Sequence, residues 1–461
     1  MRLIIISLLI VLLSGCSDGP WNNPYPLDEQ QQNTIFSSFS ERPKHLDPAR
    51  SYSSNEYSFI AQIYEPLLQY HFLERPYKLV PLVASQMPVV TPLDENLQPL
   101  AADSETTPAF TEYRLSIAEG IKYQPHPAFA RFSSSAFEYH DLSEKQLENI
   151  HTLNDFRHHA SRELTVDDYI YQIKRLADKD NHSPIAGIMS DYIVGFEDFQ
   201  KKLLAHKQQN PDRRFYDLRE IDLAGVQKLS DTEFTIRIQG SYPQFAYWLA
   251  MPFFAPMPWE ADSFYSQELL KSKNITLDWY PVGTGAFMLS ENNPNLKMVL
   301  SRNPNYHGET YPTSGEPGDA EAGLLDDAGK ALPFIDKAVY SLEKETIPYW
   351  NKFLQGYYDT SGVSSDSFDQ AIQFNATGDI ALTEDMSEKG IGLQTAVTTS
   401  IYYMGFNMLD NVVGGESERA RKLRQAIAIA MDYEEYIAIF ANGRGVPAHS
   451  PIPPGIFGHD S

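Results

Sequence analysis

The chain has 461 residues, of which 61 are acidic and 37 basic, and its formal net charge is -24 at pH 7. This length is too great for one compact core and predicts two or three domains. The acidic balance argues against nucleic acid as a partner, because phosphate binding needs a basic face, and against an anionic membrane surface.

The first 16 residues have the pattern of a targeting segment. Arg2 precedes an apolar run over residues 3–13, which is long enough for a signal peptide and too short to span a bilayer. The run leads into Leu-Ser-Gly-Cys, which resembles a bacterial lipobox and implies lipidation of Cys16. The alternative is an ordinary signal peptide with a chance cysteine. Residues 17–33 are rich in polar residues and proline and predict a tether.

Regular elements follow from alternation, helical spacing and capping residues. Strands or hairpins are predicted over residues 34–39, 113–123, 225–238, 286–301, 334–340 and 400–408. Helices are predicted from Ser54, over residues 164–176 with Thr165 as the cap, over 196–210, 345–354 and 418–431, and after the capping residue Asp432. In the 286–301 hairpin, alternation predicts a half-buried second strand. Before it, Gly283 and Gly285 let the backbone either take a positive φ or pass close to another segment.

Several histidines between residues 126 and 159 raise the question of a metal site. They are His126, His140, His151, His158 and His159. Their spacing contains neither H-x3-H nor H-E-x-x-H, and adjacent histidines point to different faces of an element. Cys16 is the only cysteine, so no thiolate is available for zinc elsewhere. We expect surface histidines on an inserted loop and no metal site.

One stretch of the sequence is distinctive. It has a turn flanked by two glycines at residues 283–285, called the glycine-clamped turn below, then a hairpin, and it ends in an Arg-Asn-Pro-x-Tyr motif. It resembles the signature of family 5 extracellular solute-binding proteins, the peptide-type receptors of ABC importers. The matching residues are Gly283, Thr284, Gly285, Ala286, Phe287, Arg302, Asn303, Pro304 and Tyr306. Further segments resemble the family in the same order, among them Leu46-Asp47-Pro48, Tyr64-Glu65-Pro66-Leu67-Leu68, the helix after Thr165, and the helix that ends before Asp432. The resemblance covers most of residues 34–454.

The resemblance implies an α/β fold of the periplasmic-binding-protein type II, with two lobes joined by a hinge and an extra α/β subdomain. The implied division is a lipoprotein signal peptide at 1–16, a tether at 17–33, lobe I at 34–65 and 241–345, the extra subdomain with insertions at 66–240, and the start of lobe II at 346–461. It also implies that lobe II continues beyond residue 461, as a fragment or a natural truncation. We expect this piece alone to expose an apolar lobe edge and to aggregate.

The implied function is that of an extracytoplasmic substrate-binding receptor, lipid-anchored in the periplasm or at the cell surface. It would bind a peptide in the inter-lobe cleft, deliver it to the permease subunits of an ABC importer, need no cofactor and be a monomer at full length. Candidate ligand-binding residues, placed by topology alone, are Tyr52, Ser53, Tyr402, Tyr403 and Asn407, with Glu41 a further candidate beside the first two.

Two alternatives stay open. One is a peptide-sensing or scavenging lipoprotein of the same fold, and the other is a receptor for a nickel chelate, haem, a sugar or an opine. An enzyme is disfavoured, because the chain has no G-x-S-x-G, no zinc motif and no cysteine beyond Cys16.

Overall fold

The computed structural model describes residues 33–459, except residues 102, 104, 135 and 375–379. The predicted signal peptide, Cys16 and nearly all of the predicted tether lie outside the described residues. Within the described part, no helix is both long and apolar enough to cross a membrane.

Strands and helices both occur throughout the described chain, in groups of each kind, which is consistent with an α/β protein. The strands are β1 (Thr34–Phe39), β2 (Leu68–Tyr70), β3 (Leu79–Pro81), β4 (Val89–Leu93), β5 (Phe110–Ser116), β6 (Arg131–Ser133), β7 (Ala136–Phe137), β8 (Val226–Lys228), β9 (Glu233–Gln239), β10 (Phe287–Asn293), β11 (Lys297–Arg302), β12 (Glu309–Thr310), β13 (Ala331–Leu332), β14 (Lys337–Leu342), β15 (Ile372–Phe374) and β16 (Ile380–Leu382). The α-helices are α1 (Ser54–Ile60), α2 (Val166–Ala177), α3 (Ala186–Tyr192), α4 (Phe196–Gln209), α5 (Phe245–Trp248), α6 (Trp259–Tyr265), α7 (Glu268–Lys271), α8 (Thr346–Leu354), α9 (Phe368–Ala371), α10 (Glu384–Glu388), α11 (Glu418–Ala430) and α12 (Tyr433–Phe440).

The first sheet has the strand order β1-β14-β11-β10. β1 runs parallel to β14, and the other two pairs are antiparallel, so the predicted first strand and the predicted hairpin are both confirmed. The predicted half-burial of β11 is wrong, because Met298, Val299 and Leu300 are all buried. Successive side chains of a strand point to opposite faces, so this inner strand is covered on both sides.

The second sheet has the order β4-β5-β9-β8 and is antiparallel throughout. Helix α2 packs beside it, in contact with β8 and α4. Thr165 is the N-cap of α2 and Asp168 its third residue, as predicted. The capping pair therefore sets where the helix begins, and its apolar face then packs on the sheet.

Both sheets share one core. A single cluster of buried apolar side chains extends from Leu46 to Ala338 and includes residues of both sheets and of α2. A separate, smaller cluster follows around Trp350, Phe368 and Met386. The described residues from Leu46 to Ala338 thus contribute to one continuous core, whereas α8 to α10 pack around another.

The predicted strand over residues 400–408 is wrong. The segment 401–407 is irregular in the structure, and no described strand pairs with it. An extended segment forms a strand only when a neighbouring backbone completes its hydrogen bonds. The helices that follow, α11 and α12, leave Ile429, Ile439 and Phe440 exposed.

Candidate functional site

The loop between β1 and α1 carries the first two candidate residues, and a buried glutamate holds it in place. The Glu56 carboxylate accepts hydrogen bonds from the backbone N–H groups of Lys44 (3.0 Å), His45 (2.9 Å) and Tyr52 (3.1 Å). Burial raises the pKa of Glu56, but these hydrogen bonds outweigh burial and hold the pKa below its ordinary value. Glu56 is therefore an ionised anchor for the backbone that carries Tyr52 and Ser53.

A second anchor for this loop is an ion pair that crosses to α2. Asp47 lies in the loop, and its Oδ2 is 2.7 Å from Nη2 of the buried Arg175. Arg175 also donates to Gln172 at 3.1 Å and lies 3.5 Å from an oxygen of Asp262. The paired guanidinium outweighs the effect of burial and keeps the pKa of Asp47 below its ordinary value. The loop is thus held at its middle by both anchors and near its end by Glu56.

Tyr52 and Ser53 have different surroundings within this loop. The Tyr52 side chain is 77% exposed, and its ring lies 6.4 Å from that of Phe253. Ser53 is the N-cap of α1, and its backbone N–H donates to Glu56 at 3.4 Å. Tyr52 is available to a ligand, whereas Ser53 already has a structural role.

The other three candidates lie on the irregular segment 401–407. Tyr402 and Tyr403 are 93% and 86% exposed. The Asn407 side chain accepts a hydrogen bond from the backbone N–H of Leu409 at 3.0 Å, which makes a local turn. Among the described residues, no hydrogen bond, ion pair or ring contact joins these three to the candidates of the first loop. Their shared role at a cleft stays a prediction.

The glycine-clamped turn lies against the chain between α1 and β2. A Cβ on Gly283 would lie 2.0 Å from the carbonyl oxygen of Ile63, and one on Gly285 would lie 2.6 Å from that of Gln62. The backbone N–H of Gly285 donates to Ile63 (2.8 Å) and that of Phe287 to Gln62 (3.1 Å). Of the two reasons for glycine left open by the sequence, close approach of two backbones applies here.

This contact borders a cavity of about 200 Å³. Segments far apart in the chain line it, from α1 and β2 to the turn and the residues after β11. The lining residues are Tyr57, Ala61, Gln62, Tyr64, Glu65, Pro66, Leu68, Gln69, Tyr70, Leu82, Ala250, Pro252, Gly285, Ala286, Tyr306 and Glu309. Four of these residues are tyrosines and two are glutamates, so the lining offers aromatic rings, phenol groups and carboxylates.

Glu65 is the most buried charged residue of the lining. Its side chain is 6% exposed, and its Oε1 accepts from Nε2 of His307 at 3.0 Å. Its Oε2 has no hydrogen-bond partner among the described residues. Glu309 accepts from the side-chain amide of Gln69. Burial and these two carboxylates raise the pKa of the Tyr306 phenol, so Tyr306 stays a hydrogen-bond donor at neutral pH.

The sequence signalled this group only in part. Glu65 and Tyr306 match the family resemblance, which assigns them no role here, and the position of Glu65 inside the apolar run Tyr64–Leu68 indicates that it is buried. No sequence pattern links Tyr57, Tyr70 and Glu309 to a common site, because only folding brings them to the same cavity.

The pairing of His307 with Glu65 predicts a pH dependence of stability. The hydrogen bond to Glu65 raises the pKa of His307 above its ordinary value. The stabilisation is therefore complete below the unfolded-state pKa of about 6.5 and is lost as pH rises through the higher folded-state pKa. We expect the melting temperature of the wild type to fall more between pH 6 and 9 than that of His307→Gln. Parallel slopes for the two proteins would contradict the pairing. His449→Gln, at an exposed position, is the matched control.

The expectation of surface histidines is correct for three residues and wrong for His126. His151, His158 and His159 are exposed, and His140 is half-buried. His126 is fully buried, and its Nε2 is 2.8 Å from the hydroxyl of Tyr265. Burial lowers the pKa of His126 to about 3, so it is a neutral core residue. Within the described residues, no group of three or more His, Cys, Asp or Glu side chains is placed to hold a metal ion.

Comparison with known proteins identifies relatives of one kind. A family model described as bacterial extracellular solute-binding proteins, family 5 Middle, matches residues 133–461. A curated relative, the periplasmic oligopeptide-binding protein OppA of Salmonella typhimurium, is 28% identical over 144 residues, which are 31% of this chain and 23% of that protein.

Solved structures share the fold. OppA of Burkholderia pseudomallei aligns with a TM-score of 0.55 and 15% identity, over 92% of this chain and 61% of that chain. DppA of Helicobacter pylori, an ABC transporter-associated periplasmic binding protein in complex with the peptide STSA, aligns with a TM-score of 0.54 and 15% identity, over 94% and 64%. The chain thus spans between 61% and 64% of the length of these two structures.

Proposed function

The chain belongs to the family 5 bacterial extracellular solute-binding proteins, and we propose that it acts as the substrate-binding receptor of an ABC importer, with a peptide as its ligand. The observation that carries this proposal is the family match over residues 133–461. The relatives named as oligopeptide-binding or solved with a peptide support the choice of ligand class.

The proposed mechanism is capture by closure of two lobes about a hinge, which removes water from the ligand. A peptide would lie extended and form main-chain hydrogen bonds, which recognise no particular side chain. Tyr52, Tyr402 and Tyr403 have the exposure that such contacts need. Tyrosine combines a large apolar ring with a hydroxyl and loses little conformational entropy when it binds.

A thermal-shift screen tests the ligand class. The full-length gene product, made without residues 1–16, is heated with mixed short peptides, with haem and with nickel chelates. A ligand at about 100 times its Kd stabilises the folded state by about 2.7 kcal/mol, so binding raises the melting temperature. We expect a rise with peptides and none with the other two classes. A rise with haem or a nickel chelate alone would replace the peptide by that solute.

Delivery to a permease separates an importer from a sensing or scavenging lipoprotein. In a bacterium that carries the gene, we expect loss of the gene to reduce uptake of a labelled peptide that the purified protein binds. Unchanged uptake, with binding intact, would favour sensing or scavenging.

We further propose that the protein is anchored by a lipid on Cys16. Cys16→Ser removes the thiol that receives the lipid, and one or more acyl chains supply the affinity for the bilayer. We expect the wild type in the membrane fraction and Cys16→Ser in the soluble extracytoplasmic fraction. Ser14→Ala keeps a small residue before the cysteine and should behave as the wild type. Retention of Cys16→Ser on membranes would contradict lipid anchoring.

A further inference from the structure

The cavity beside the glycine-clamped turn has the chemistry of a cation site. Two carboxylates, Glu65 and Glu309, belong to its lining, and none of the described lining residues is Lys, Arg or His. An acidic cavity without a lining cation attracts positive charge, and its low-dielectric surroundings strengthen that attraction.

Glu65 is incompletely paired for a buried carboxylate. His307 donates to Oε1, whereas Oε2 lacks a partner in the part of the chain that the structure describes. A buried acceptor without a donor costs free energy that a ligand N–H group would recover. The protein partners of Glu309 include the amide of Gln69 and the phenol of Tyr306, and neither of these neutral groups neutralises the charge.

The aromatic lining favours the same kind of ligand. Tyr70 stacks on Tyr247 with ring centroids 6.2 Å apart and meets Tyr77 edge-on at 5.8 Å. The guanidinium of Arg75 lies 4.0 Å from the centre of the Tyr77 ring, so this tyrosine cluster already holds one cation. Tyr57, half-exposed, adds a further ring to the cavity lining. Faces of tyrosine rings attract ammonium and guanidinium groups.

We propose that this cavity binds the cationic group of the captured solute, an alkylammonium or alkylguanidinium. The volume of about 200 Å³ is below that of a site for a whole drug-sized ligand, so it suits one functional group with a short apolar stem. The inference rests on the proposed function, because it names the charge that the captured solute carries. In a peptide the group is either the free amino terminus or a lysine or arginine side chain.

Ligand-detected NMR titration with small probes tests the cavity directly. The probes are n-butylammonium and ethylguanidinium, with n-butanol as the uncharged match and butyrate as the anion. We expect the wild type to bind the two cations and neither of the other probes. Absence of cation binding, or equal binding of n-butanol, would overturn the proposal.

Two substitutions locate the binding. Glu309→Gln keeps the shape and the partner of the side chain but removes its charge, and we expect it to raise the Kd for n-butylammonium about tenfold or more. Tyr57→Ala removes one ring from a half-exposed position and should raise the Kd several-fold. Glu321→Gln, exposed and outside the lining, makes the same charge change and should leave the Kd unchanged. Equal Kd values for Glu309→Gln and Glu321→Gln would overturn the proposal.

Peptide probes show whether the bound cation is the amino terminus or a side chain. They also test the cavity proposal and the peptide-receptor proposal separately. Trialanine carries only the amino terminus, and acetyl-Ala-Lys-Ala-amide carries only the side chain. Weaker binding of one of them to Glu309→Gln supports the proposal and identifies the source. Peptide binding that Glu309→Gln leaves intact would overturn the cavity inference and leave the peptide receptor standing. Charge-dependent binding of n-butylammonium without binding of any peptide supports the cavity and contradicts the peptide ligand.

Discussion

Replacing Arg175 with alanine is expected to lower the free energy of unfolding by about 3–5 kcal/mol, because it leaves a buried charge unpaired. Asp47 and Arg175 are both buried, and their side chains form two hydrogen bonds of 3.0 and 2.7 Å. Without Arg175, the Asp47 carboxylate would stay buried without its direct partner, and the nearby charges of Arg50 and Asp278 have opposite signs. Urea denaturation followed by circular dichroism measures the loss.

The matched control is Arg213→Ala, which breaks a partly exposed pair with Glu220 at 2.7 Å. Exposed ion pairs contribute about 0–1 kcal/mol, so this variant should differ little from the wild type. Asp47→Asn combined with Arg175→Met removes both charges and should be more stable than Arg175→Ala alone. Equal losses for Arg175→Ala and Arg213→Ala would show that the buried pair contributes no more to the free energy of unfolding than the exposed pair.

Gly283→Ala is expected to cost about 1–3 kcal/mol or more, because the added Cβ has no space. It would lie 2.0 Å from the carbonyl oxygen and 2.7 Å from the carbonyl carbon of Ile63. These are backbone atoms, and the same carbonyl accepts the hydrogen bond from Gly285 at 2.8 Å. Relief of the clash must separate the turn from the chain between α1 and β2. The melting temperature and the urea midpoint measure the effect.

The same substitution at Gly187 should have the opposite sign. Gly187 lies in helix α3, is exposed and has no atom within 4 Å of an added Cβ. Alanine there reduces the conformational entropy of the unfolded chain and should stabilise the protein by about 0.4–1 kcal/mol. If Gly283→Ala were as well tolerated as Gly187→Ala, the close approach of the two backbones would not be what requires glycine in the turn.

Local sequence patterns predict several of the main helices and strands. The first strand, the hairpin of β10 and β11, and helix α2 with its Thr165 cap were all predicted, because alternation, turn residues and caps act within a few residues. The segment 400–408 has the same kind of local pattern and forms no strand. A strand is completed by a partner that its own residues do not specify.

The candidate site was predictable to a smaller degree. Tyr52 lies exposed on the loop after the first strand, and its role in binding stays a prediction, whereas Ser53 is the N-cap of α1. His126 was expected at the surface and is fully buried, since its surroundings include Phe264 and Tyr265, more than 130 residues further along the chain. Such long-range contacts cannot be predicted from the spacing of neighbouring residues.

By itself, the sequence determined the α/β class, most of the longer helices and strands and the family, because propensity, capping and short motifs are properties of neighbouring residues. Only the tertiary structure decided that Gly283 serves a close approach to Ile63 and that Glu65 and Glu309 line one cavity. The physical reason is that burial and pairing of charges depend on distances in space, and these residues meet across more than 200 positions of the chain.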